Sequence, residues 1–395
     1  MKKTNRKNTD FTRRLFLKTS VLGGTGIFLI NDAKGSESMN TFNQEENEGK
    51  IITRKLGKTG MELPVVSFGV MRADNSNLIK AALKAGVKHF DTAYVYQNGN
   101  NEKMLGEVLK DYPRDSFTIS TKVKPEEKKG FLEKLDTSLE RLKMDYVDIL
   151  YVHALDSREQ VLSEDTLDAL KTAKDQGKAL HVGVSTHSNE PEVIKAAIDS
   201  GVYEVILTAY NFKQDHVELL TKRINEASEA GIGIIAMKTM AGGKLGKDAE
   251  KMQFQAALKW ALKNGHVHTT IPGITTFKEL EENLDVMNNL SLTKEEEEFL
   301  SFAYSQEGLY CNGCQQCTNT CNKHLPIPDM MRAYMYAYGY GEMNKAKQEI
   351  ASLGISENPC TDCSICTASC IKGFNIPEKV ADISRITTIP DDFLA

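Results

Sequence analysis

The cysteines are the residues whose type and spacing imply chemistry most directly. All eight lie in two short runs near the end of the 395-residue chain. The runs are Cys311-x₂-Cys314-x₂-Cys317-x₃-Cys321 and Cys360-x₂-Cys363-x₂-Cys366-x₃-Cys370. Thiols grouped in this way are typical of metal ligands and are poorly placed to tie a fold together as disulfides. The sequence therefore predicts a thiolate-ligated metal site in the C-terminal part of the chain.

Both runs have the spacing of bacterial ferredoxins, in which the fourth cysteine of each run binds the cluster of the other. We therefore predict two [4Fe–4S] clusters, with ligands Cys311, Cys314, Cys317 and Cys370 for one and Cys360, Cys363, Cys366 and Cys321 for the other. The proline that usually follows the fourth cysteine is replaced by Asn322 and Ile371. Zinc is the alternative, because paired Cys-x₂-Cys motifs also build Cys₄ zinc sites.

A second set of chemically capable residues stands at the ends of apolar runs. Asp91, Lys122 and His153 each end such a run, and Tyr96 follows Asp91 by five residues. Taken singly, these residues are commonly a helix cap, a solvated amine and a structural imidazole. An acid, an amine, a phenol and an imidazole at one rim of one fold would instead suit proton-transfer catalysis. The four residues are the candidate catalytic set.

The elements that must position this set follow from periodicity. From about Val65 to Leu290, short β-branched runs alternate with amphipathic segments of helical spacing, which is typical of repeated βα units. The predicted strands are Val65–Gly69, His89–Thr92, Thr118–Lys122, Val147–Val152, His181–Ser185, Val205–Tyr210, Ile232–Met237 and Thr269–Pro272. This favours an α/β fold, a (β/α)₈ TIM barrel over residues 51–300, with a doubly wound sheet as the alternative.

Two further segments complete the picture of the fold. Residues 54–61, before the first barrel strand, are predicted to form a hairpin at the barrel floor. Residues 301–395 are predicted to form a small, mainly α, ferredoxin-type domain. Its Met- and Tyr-rich stretch, Met330 to Tyr338, has helical spacing and is interpreted as core packing without a catalytic role.

The N-terminal residues resemble a targeting signal. Arg13-Arg14-Leu15-Phe16-Leu17-Lys18 precedes the apolar run Val21–Ile30, as in the twin-arginine export signal of bacteria. The run is too short for a stable membrane span, and the alternative is an exposed basic terminus. Residues 1–50 are therefore predicted to be a signal and linker, with a periplasmic or cell-envelope location. The twin-arginine route carries folded proteins, which suits a cofactor inserted before export.

Composition narrows the classes of partner. With 41% hydrophobic and 26% charged residues, the chain is typical of a soluble globular protein. Its net charge of −5 and its scattered basic residues give no reason to expect nucleic acid as a partner.

Three segments resemble the signatures of the aldo-keto reductase family. They are Phe90 to Tyr96, Ser120 to Val123 and Asp145 to His153. The resemblance implies hydride transfer between a nicotinamide cofactor and a carbonyl or alcohol. It makes Tyr96 the general acid/base, Lys122 and Asp91 its polarising pair, and His153 the group that orients the substrate. Because an ammonium favours phenolate, Lys122 is expected to bring the pKa of Tyr96 closer to working pH.

The same resemblance implies a set of cofactor contacts. They are Ser185, Thr186, Thr208, Met237, Lys238, Glu282 and Asn283. Several depart from the family pattern, with Met237 and Lys238 in place of a stacking Tyr and its Ser neighbour, and Gly273 in place of a usual Lys. Glu279 falls where an Arg commonly holds the ribose 2′-phosphate, which favours NAD over NADP.

Two functional interpretations follow. In the first, the barrel is a nicotinamide-dependent oxidoreductase, and the clusters exchange electrons with a partner protein or brace the C-terminus. A nicotinamide moves two electrons as hydride and a cluster moves one, so exchange between them would need an intermediary such as a flavin. In the second, the chain is an exported electron-transfer or redox-sensing protein that uses a degenerate barrel as scaffold.

Overall fold

The computed structural model describes residues 51–242, 254–305 and 308–394. The predicted export signal and most of its linker lie outside this part of the chain. A hairpin of β1 (Thr53–Lys55) and β2 (Glu62–Pro64) opens the described chain, with Arg54 paired to Leu63. The hairpin expected from residues 54–61 is therefore present.

Eight parallel strands follow and form a ring. They are β3 (Phe68–Gly69), β4 (His89–Asp91), β5 (Thr118–Val123), β6 (Val147–Val152), β7 (Ala179–Thr186), β8 (Val205–Ala209), β9 (Gly233–Met237) and β10 (Thr269–Thr270). Each strand pairs with the next in chain order, and bridges from Val66 to Thr270 and from Gly69 to Gly273 close the ring between its first and last strands. The predicted TIM barrel is confirmed.

The strand sequences are those of a sheet that is covered on both faces. Every residue of β6 and of β8 is buried, which matches the nearly continuous apolar runs expected of parallel strands under a layer of helices. The side chains that fill the inside of the ring include Ile149, Tyr151 and Leu207. The barrel is therefore a packed core, and its chemistry is confined to its rims.

Amphipathic helices alternate with these strands. They are α1 (Ser76–Lys84), α2 (Asn100–Leu109), α3 (Lys128–Leu142), α4 (Arg158–Val161), α5 (Glu164–Asp175), α6 (Glu190–Ser200), α7 (Val217–Glu229), α8 (Phe254–Lys263) and α9 (Phe277–Val286). Local signals fix several ends: Asn75 caps α1 through the backbone N–H of Asn77, and α6 stops at Gly201, whose φ of 65° is readily adopted only by glycine.

The C-terminal segment forms a second, smaller core. Its helices are α11 (Gln316–Thr320), α12 (Ile327–Tyr334), α13 (Met343–Ser352) and α14 (Ile376–Ser384), whereas the preceding helix α10 (Lys294–Ser305) packs Leu300 and Ala303 on the barrel. Met330, Met331, Ile350 and Val380 are buried together, so part of the Met-rich stretch is core packing as predicted. Helix α12 continues into one π-helical turn, Met335–Gly339. Among the described residues, no helix is long and apolar enough to cross a membrane.

This segment packs on the end of the barrel where the strands finish. Asp215, in the loop after β8, accepts hydrogen bonds from Asn312 Nδ2 and Lys372 Nζ, both at 2.6 Å. On another side of the rim, Arg72 Nε donates to Glu342 Oε1 at 2.7 Å. The residues that contain the cysteine runs are thus attached to the rim at which a TIM barrel places its chemistry.

Candidate active site

Asp91, Lys122 and Tyr96 converge inside this rim. Asp91 ends β4, Lys122 lies in β5, and their charged atoms, Oδ2 and Nζ, are 2.5 Å apart. Lys122 Nζ also donates to the carbonyl oxygen of Thr92 at 2.6 Å and lies 3.4 Å from the hydroxyl of Tyr96. The predicted phenol, ammonium and carboxylate therefore form one connected group.

A second layer of hydrogen bonds holds this group, and sequence reasoning missed it. Ser120 Oγ donates to Asp91 Oδ1 at 2.7 Å and contacts His89 Nε2 at 3.0 Å. Thr92 Oγ1 donates to the buried amide oxygen of Asn101 at 2.6 Å. These residues alternate with apolar ones in ordinary strand and helix patterns, so their types alone gave no signal of a supporting role.

The backbone just after Tyr96 is strained. Tyr96 begins a 3₁₀ turn in which Gln97, Asn98 and Gly99 have φ values of 50°, 54° and 85°. For residues with a Cβ, this left-handed region costs roughly 1–2 kcal/mol each, and such strain often collects at functional sites. The Gln97 side chain holds the turn by donating to the carbonyl oxygens of Met71 and Ala73, at 3.1 and 3.2 Å.

His153 completes the set of four. Its ring meets that of Tyr96 edge-on, with centroids 5.9 Å apart and an interplanar angle of 81°. Burial, followed by the charges of Lys122, Lys124, Lys345 and Arg332, lowers the pKa of His153 well below its usual range, so the imidazole is neutral. Its Nδ1 atom is buried and has no hydrogen-bond partner among the described residues.

The electrostatic state of Tyr96 differs from the sequence-based prediction. Burial, and then the carboxylates of Asp91 and Glu349, raise the pKa of Tyr96 well above its usual value. The sequence predicts the opposite direction, a pKa lowered by the ammonium of Lys122. The ammonium lies 3.4 Å from the phenol but only 2.5 Å from Asp91, so its charge is largely committed to that carboxylate. Tyr96 is therefore a protonated phenol, suited to donating its proton.

The four residues open into a cavity of about 620 Å³. Its lower wall is the barrel rim and its upper wall belongs to the C-terminal segment. We call the second set of lining residues the roof: Arg332, Met335, Tyr336, Gly339, Tyr340, Lys345, Gln348, Glu349 and Ser352. The roof lies in the sequence between the two cysteine runs.

The roof is the main feature that the sequence did not reveal. Arg332, Met335 and Tyr336 belong to the stretch interpreted as core packing, yet they face the cavity as well. Helical spacing shows that a face of a segment is apolar, but it does not show what that face meets.

Five of the seven predicted cofactor contacts line the same cavity. They are Ser185, Met237, Lys238, Glu282 and Asn283. The buried Oδ1 atom of Asn283 has no partner among the described residues, so it remains available as an acceptor for a ligand. Thr186 and Thr208 are fully buried and do not line the cavity. Their hydroxyls donate to the carbonyl oxygens of Ser188 and Ala209.

Two carboxylates stand at the cofactor end of the cavity. Glu279 and Glu282 both line it, near Gly273. Glu279 Oε2 also closes a capping box at the start of α9 by accepting from the backbone N–H groups of Thr275 and Thr276, at 2.6 and 3.2 Å. These hydrogen bonds hold the carboxylate of Glu279 in position.

The cysteines fall into the two predicted groups. Burial raises the pKa of Cys311, and the nearby thiols of Cys317, Cys314 and Cys370 raise it further. Burial likewise raises the pKa of Cys360, with further contributions from Cys363, Cys366 and Cys321. No two of the eight, which all lie in the described part of the chain, are joined in a disulfide. A cavity of about 250 Å³ is lined by Cys321, Cys360, Cys363 and Cys366 together with apolar side chains that include Ile365 and Ile376. Among the described residues, no cluster of three or more His, Cys, Asp or Glu side chains is arranged tightly enough for a single metal ion.

The first cysteine group lies against the barrel. A Cβ atom added to Gly313 would be 2.6 Å from Ser188 Oγ, in the loop that follows Ser185 and Thr186, so glycine is required there. The backbone nitrogen of Tyr310 would be 3.5 Å from a Cβ on Gly242, in the loop after Lys238. The loop of Cys311 thus rests on two loops that carry predicted cofactor contacts.

Comparisons with known proteins agree with this architecture. A model described as the aldo/keto reductase family matches residues 60–256, and a model of the 4Fe-4S dicluster domain matches residues 310–375. L-galactose dehydrogenase of Arabidopsis thaliana is 28% identical over 64% of this chain and 93% of its own length. L-glyceraldehyde 3-phosphate reductase of Escherichia coli (strain K12) is 27% identical over 64% of this chain and 92% of its own.

Solved structures show the same fold. An aldo-keto reductase from Bacillus halodurans in its holo form superposes with a TM-score of 0.55 at 21% identity, covering 64% of this chain and 96% of that one. The aldo-keto reductase MGS-M4 from a deep-sea metagenome gives 0.52 at 22% identity, covering 63% and 94%.

Proposed function

The chain belongs to the aldo/keto reductase family and carries a 4Fe–4S dicluster domain after the barrel, and from this premise we propose that it interconverts a carbonyl and an alcohol in the roofed cavity. The observation that carries the proposal is the connected group of Tyr96, Lys122 and Asp91, with Lys122 Nζ 3.4 Å from the phenol and 2.5 Å from the carboxylate. His153 stands edge-on to the same phenol.

In the reductive direction, Tyr96 donates its proton to the carbonyl oxygen as the substrate is reduced. Its raised pKa keeps that proton available at neutral pH. The neutral imidazole of His153 orients the substrate oxygen by a hydrogen bond, and Lys122 stabilises the negative charge that develops on the phenolate. Asp91 holds the ammonium in place throughout.

A nicotinamide dinucleotide, when bound, supplies or accepts the hydride. The residues present fit such a group, since Ser185, Met237, Lys238 and Asn283 line one wall and Asn283 Oδ1 is an unused buried acceptor. Glu279 and Glu282 on the same wall would repel a ribose 2′-phosphate, which supports NAD over NADP. Met237 would meet the nicotinamide ring through a thioether in place of an aromatic ring.

We also propose that the dicluster domain binds two [4Fe–4S] clusters, with the cysteine groups that begin at Cys311 and Cys360. The cavity of about 250 Å³ that the four cysteines of the second group help to line supports a cluster there, because it offers more space than one zinc ion with sulfurs at about 2.3 Å would need. The clusters would pass single electrons to or from a partner protein, or brace the domain. Export by the twin-arginine route stays a prediction.

Replacement of Tyr96 by Phe tests the proposal. Anaerobically purified protein with reconstituted clusters is assayed with NADH or NADPH against a panel of aldehydes and ketones, following nicotinamide absorbance. Loss of the general acid should lower kcat by about 10²–10⁴-fold, while the visible absorbance of the clusters is unchanged. Tyr304→Phe, at a tyrosine that is 61% exposed, is the matched control.

Two results would contradict the proposal. Undiminished turnover by Tyr96→Phe would remove the assigned acid. Failure of the wild-type protein to bind either nucleotide, measured by nicotinamide fluorescence, would instead favour the redox protein that uses the barrel as scaffold.

A further inference from the structure

One wall of the cavity carries a lysine, Lys238, whose amine is not paired directly with any described residue. Lys238 follows β9 with a φ of 54°, and its carbonyl oxygen accepts from Asn211 Nδ2 at 3.1 Å, so its unusual backbone is held in place. Its side chain lines the cavity, and within the described residues its Nζ makes no hydrogen bond or ion pair. Burial and then the charge of Arg332 lower the pKa of Lys238 to about 7, against the opposing effect of Glu190 and Glu349. An anionic ligand beside the amine would favour its protonated form. A buried amine without a partner is costly in any fold.

Opposite this wall, the roof presents a second cation. The Arg332 side chain is 18% exposed. Its NH2 group pairs with Asp329 and lies 3.8 Å from Glu349, while NH1 has only a long 3.5 Å contact with His187 Nδ1. Burial, Lys238 and Arg332 keep the pKa of His187 well below its usual range, so this neighbour offers no negative charge. The NH1 group therefore has hydrogen-bonding capacity left for a ligand.

Arg332 is close enough to both the catalytic group and the cofactor wall for its charge to act on them. Its charge acts on both His153 and Lys238, and all three side chains line the same cavity. Lys124, beside His153, is a further lining cation for which no ion pair is found among the described residues. Although the whole chain has a net charge of −5, the lining cations around Arg332, which are Lys238, Lys124 and Lys345, outnumber the lining carboxylate Glu349.

We infer that Arg332 of the roof and Lys238 of the barrel form a binding site for an anionic group, a carboxylate or a phosphate, on a ligand of this cavity. A guanidinium edge and an ammonium are the donors best suited to such groups. Taken with the proposed function, on which this step rests, the site selects carbonyl or alcohol substrates that carry an acidic group close to the reacting carbon. A barrel without the C-terminal segment would lack Arg332 and hence this selectivity.

The test is a binding measurement that needs no turnover. Full-length, cluster-reconstituted protein is titrated calorimetrically with lactate, with its uncharged isostere lactamide, and with inorganic phosphate. Lactate and phosphate should bind, and Arg332→Gln and Lys238→Met should each weaken that binding about tenfold or more, because each removes a charge-assisted hydrogen bond. Arg385→Gln, at an arginine whose side chain is 74% exposed, is the matched control and should leave binding unchanged. Lactamide should bind equally weakly to all four proteins.

Repeating the titration with protein saturated in NADH distinguishes the two sources of the anion. Lactate binding that persists and still depends on Arg332 assigns the site to the substrate. If NADH abolishes the binding of lactate and phosphate, and its own affinity falls in the variants, the anion is a cofactor phosphate and the substrate selectivity is wrong.

Further outcomes decide the remaining cases. Arg332→Lys should restore most of the affinity, which shows that loss in Arg332→Gln does not come from misfolding. No binding of lactate or phosphate to the wild-type protein, or an affinity in Arg332→Gln and Lys238→Met that equals that of the wild-type protein, would overturn the inference. Lactate binding retained by a protein that shows no turnover would leave the anion site standing and reject only the proposed function.

Discussion

At the scale of single residues, the site is dominated by a buried ion pair. The side chains of Lys122 and Asp91 are 1% and 3% exposed. Burial lowers the pKa of Lys122, and Asp91 counteracts that effect. Such a pair contributes little net stability by itself, but either partner is costly to leave alone.

Asp91→Asn should therefore destabilise the barrel by about 3–5 kcal/mol, since it leaves the Lys122 ammonium buried beside a neutral amide. Urea unfolding can be followed by the fluorescence of Trp260, the only tryptophan, which packs on Tyr210 with ring centroids 4.9 Å apart. Glu298→Gln breaks an exposed pair with Lys294 and should change stability by less than about 1 kcal/mol. Equal effects of the two substitutions would contradict the burial argument.

The raised pKa of Tyr96 gives a spectroscopic prediction. The folded site favours the neutral phenol, so Tyr96 should still be protonated where ordinary tyrosines begin to ionise, near pH 10. The ultraviolet tyrosinate absorbance of wild-type and Tyr96→Phe proteins should then coincide up to about pH 10. A difference of one tyrosinate between pH 7 and 9 would mean that Lys122 controls the phenol after all.

At the scale of elements, the π-helical turn Met335–Gly339 shapes the roof. A Cβ atom on Gly339 would lie 2.5 Å from the carbonyl oxygen of Gly242, so the turn touches the loop after β9 backbone to backbone. This loop begins with Lys238, and the contact therefore sets the distance between the roof and the cofactor wall.

Gly339→Ala should push the roof away from that loop. We expect a loss of about 1–3 kcal/mol and faster proteolysis at the Met343–Ser352 helix, because a methyl group has no space at this contact. Thermal melting and limited proteolysis measure the two effects. Gly265→Ala, where an added Cβ meets nothing within 4 Å, should behave as wild type.

Elements also show what sequence can and cannot predict. Strands such as Val147–Val152 were predicted to the residue because a parallel strand buried on both faces leaves a continuous apolar run. The placement of Asp91, Lys122 and His153 followed from barrel topology alone. Arg332 and Tyr336 could not be assigned to the cavity, because the periodicity of a sequence does not reveal which distant segment packs on the barrel rim. For the same reason, the effect of Glu349 on Tyr96 was not foreseen.

At the scale of the whole molecule, the two cysteine groups occupy different surroundings. In the first group only Cys314 is exposed, Cys317 is buried, and Gly313 packs against the barrel loop at Ser188. In the other group, Cys363 and Cys366 are exposed, and Ile365 between them is 77% exposed. Of the two proposed clusters, one would thus adjoin the barrel and the other would adjoin solvent.

The exchange of ligands between the runs can be tested by pairs of variants. Cys370→Ser and Cys311→Ser, from different runs, should give the same electron paramagnetic resonance spectrum of the remaining cluster, and so should Cys321→Ser and Cys363→Ser. Iron analysis should show about half of the wild-type iron in each variant. If Cys370→Ser matched Cys363→Ser instead, each run would bind its own cluster.

The position of the roof in the sequence couples metal supply to the shape of the substrate pocket. The roof residues, Arg332 to Ser352, lie between Cys321 and Cys360. Under the proposed ligation, the segment that carries the roof is therefore bonded to cluster iron on both sides. Where iron is scarce or oxidants remove it, the barrel would keep its proton donor, but the roof would no longer be held in place. Loss of the clusters would therefore lower substrate selectivity first, before it lowered the rate of the chemical step.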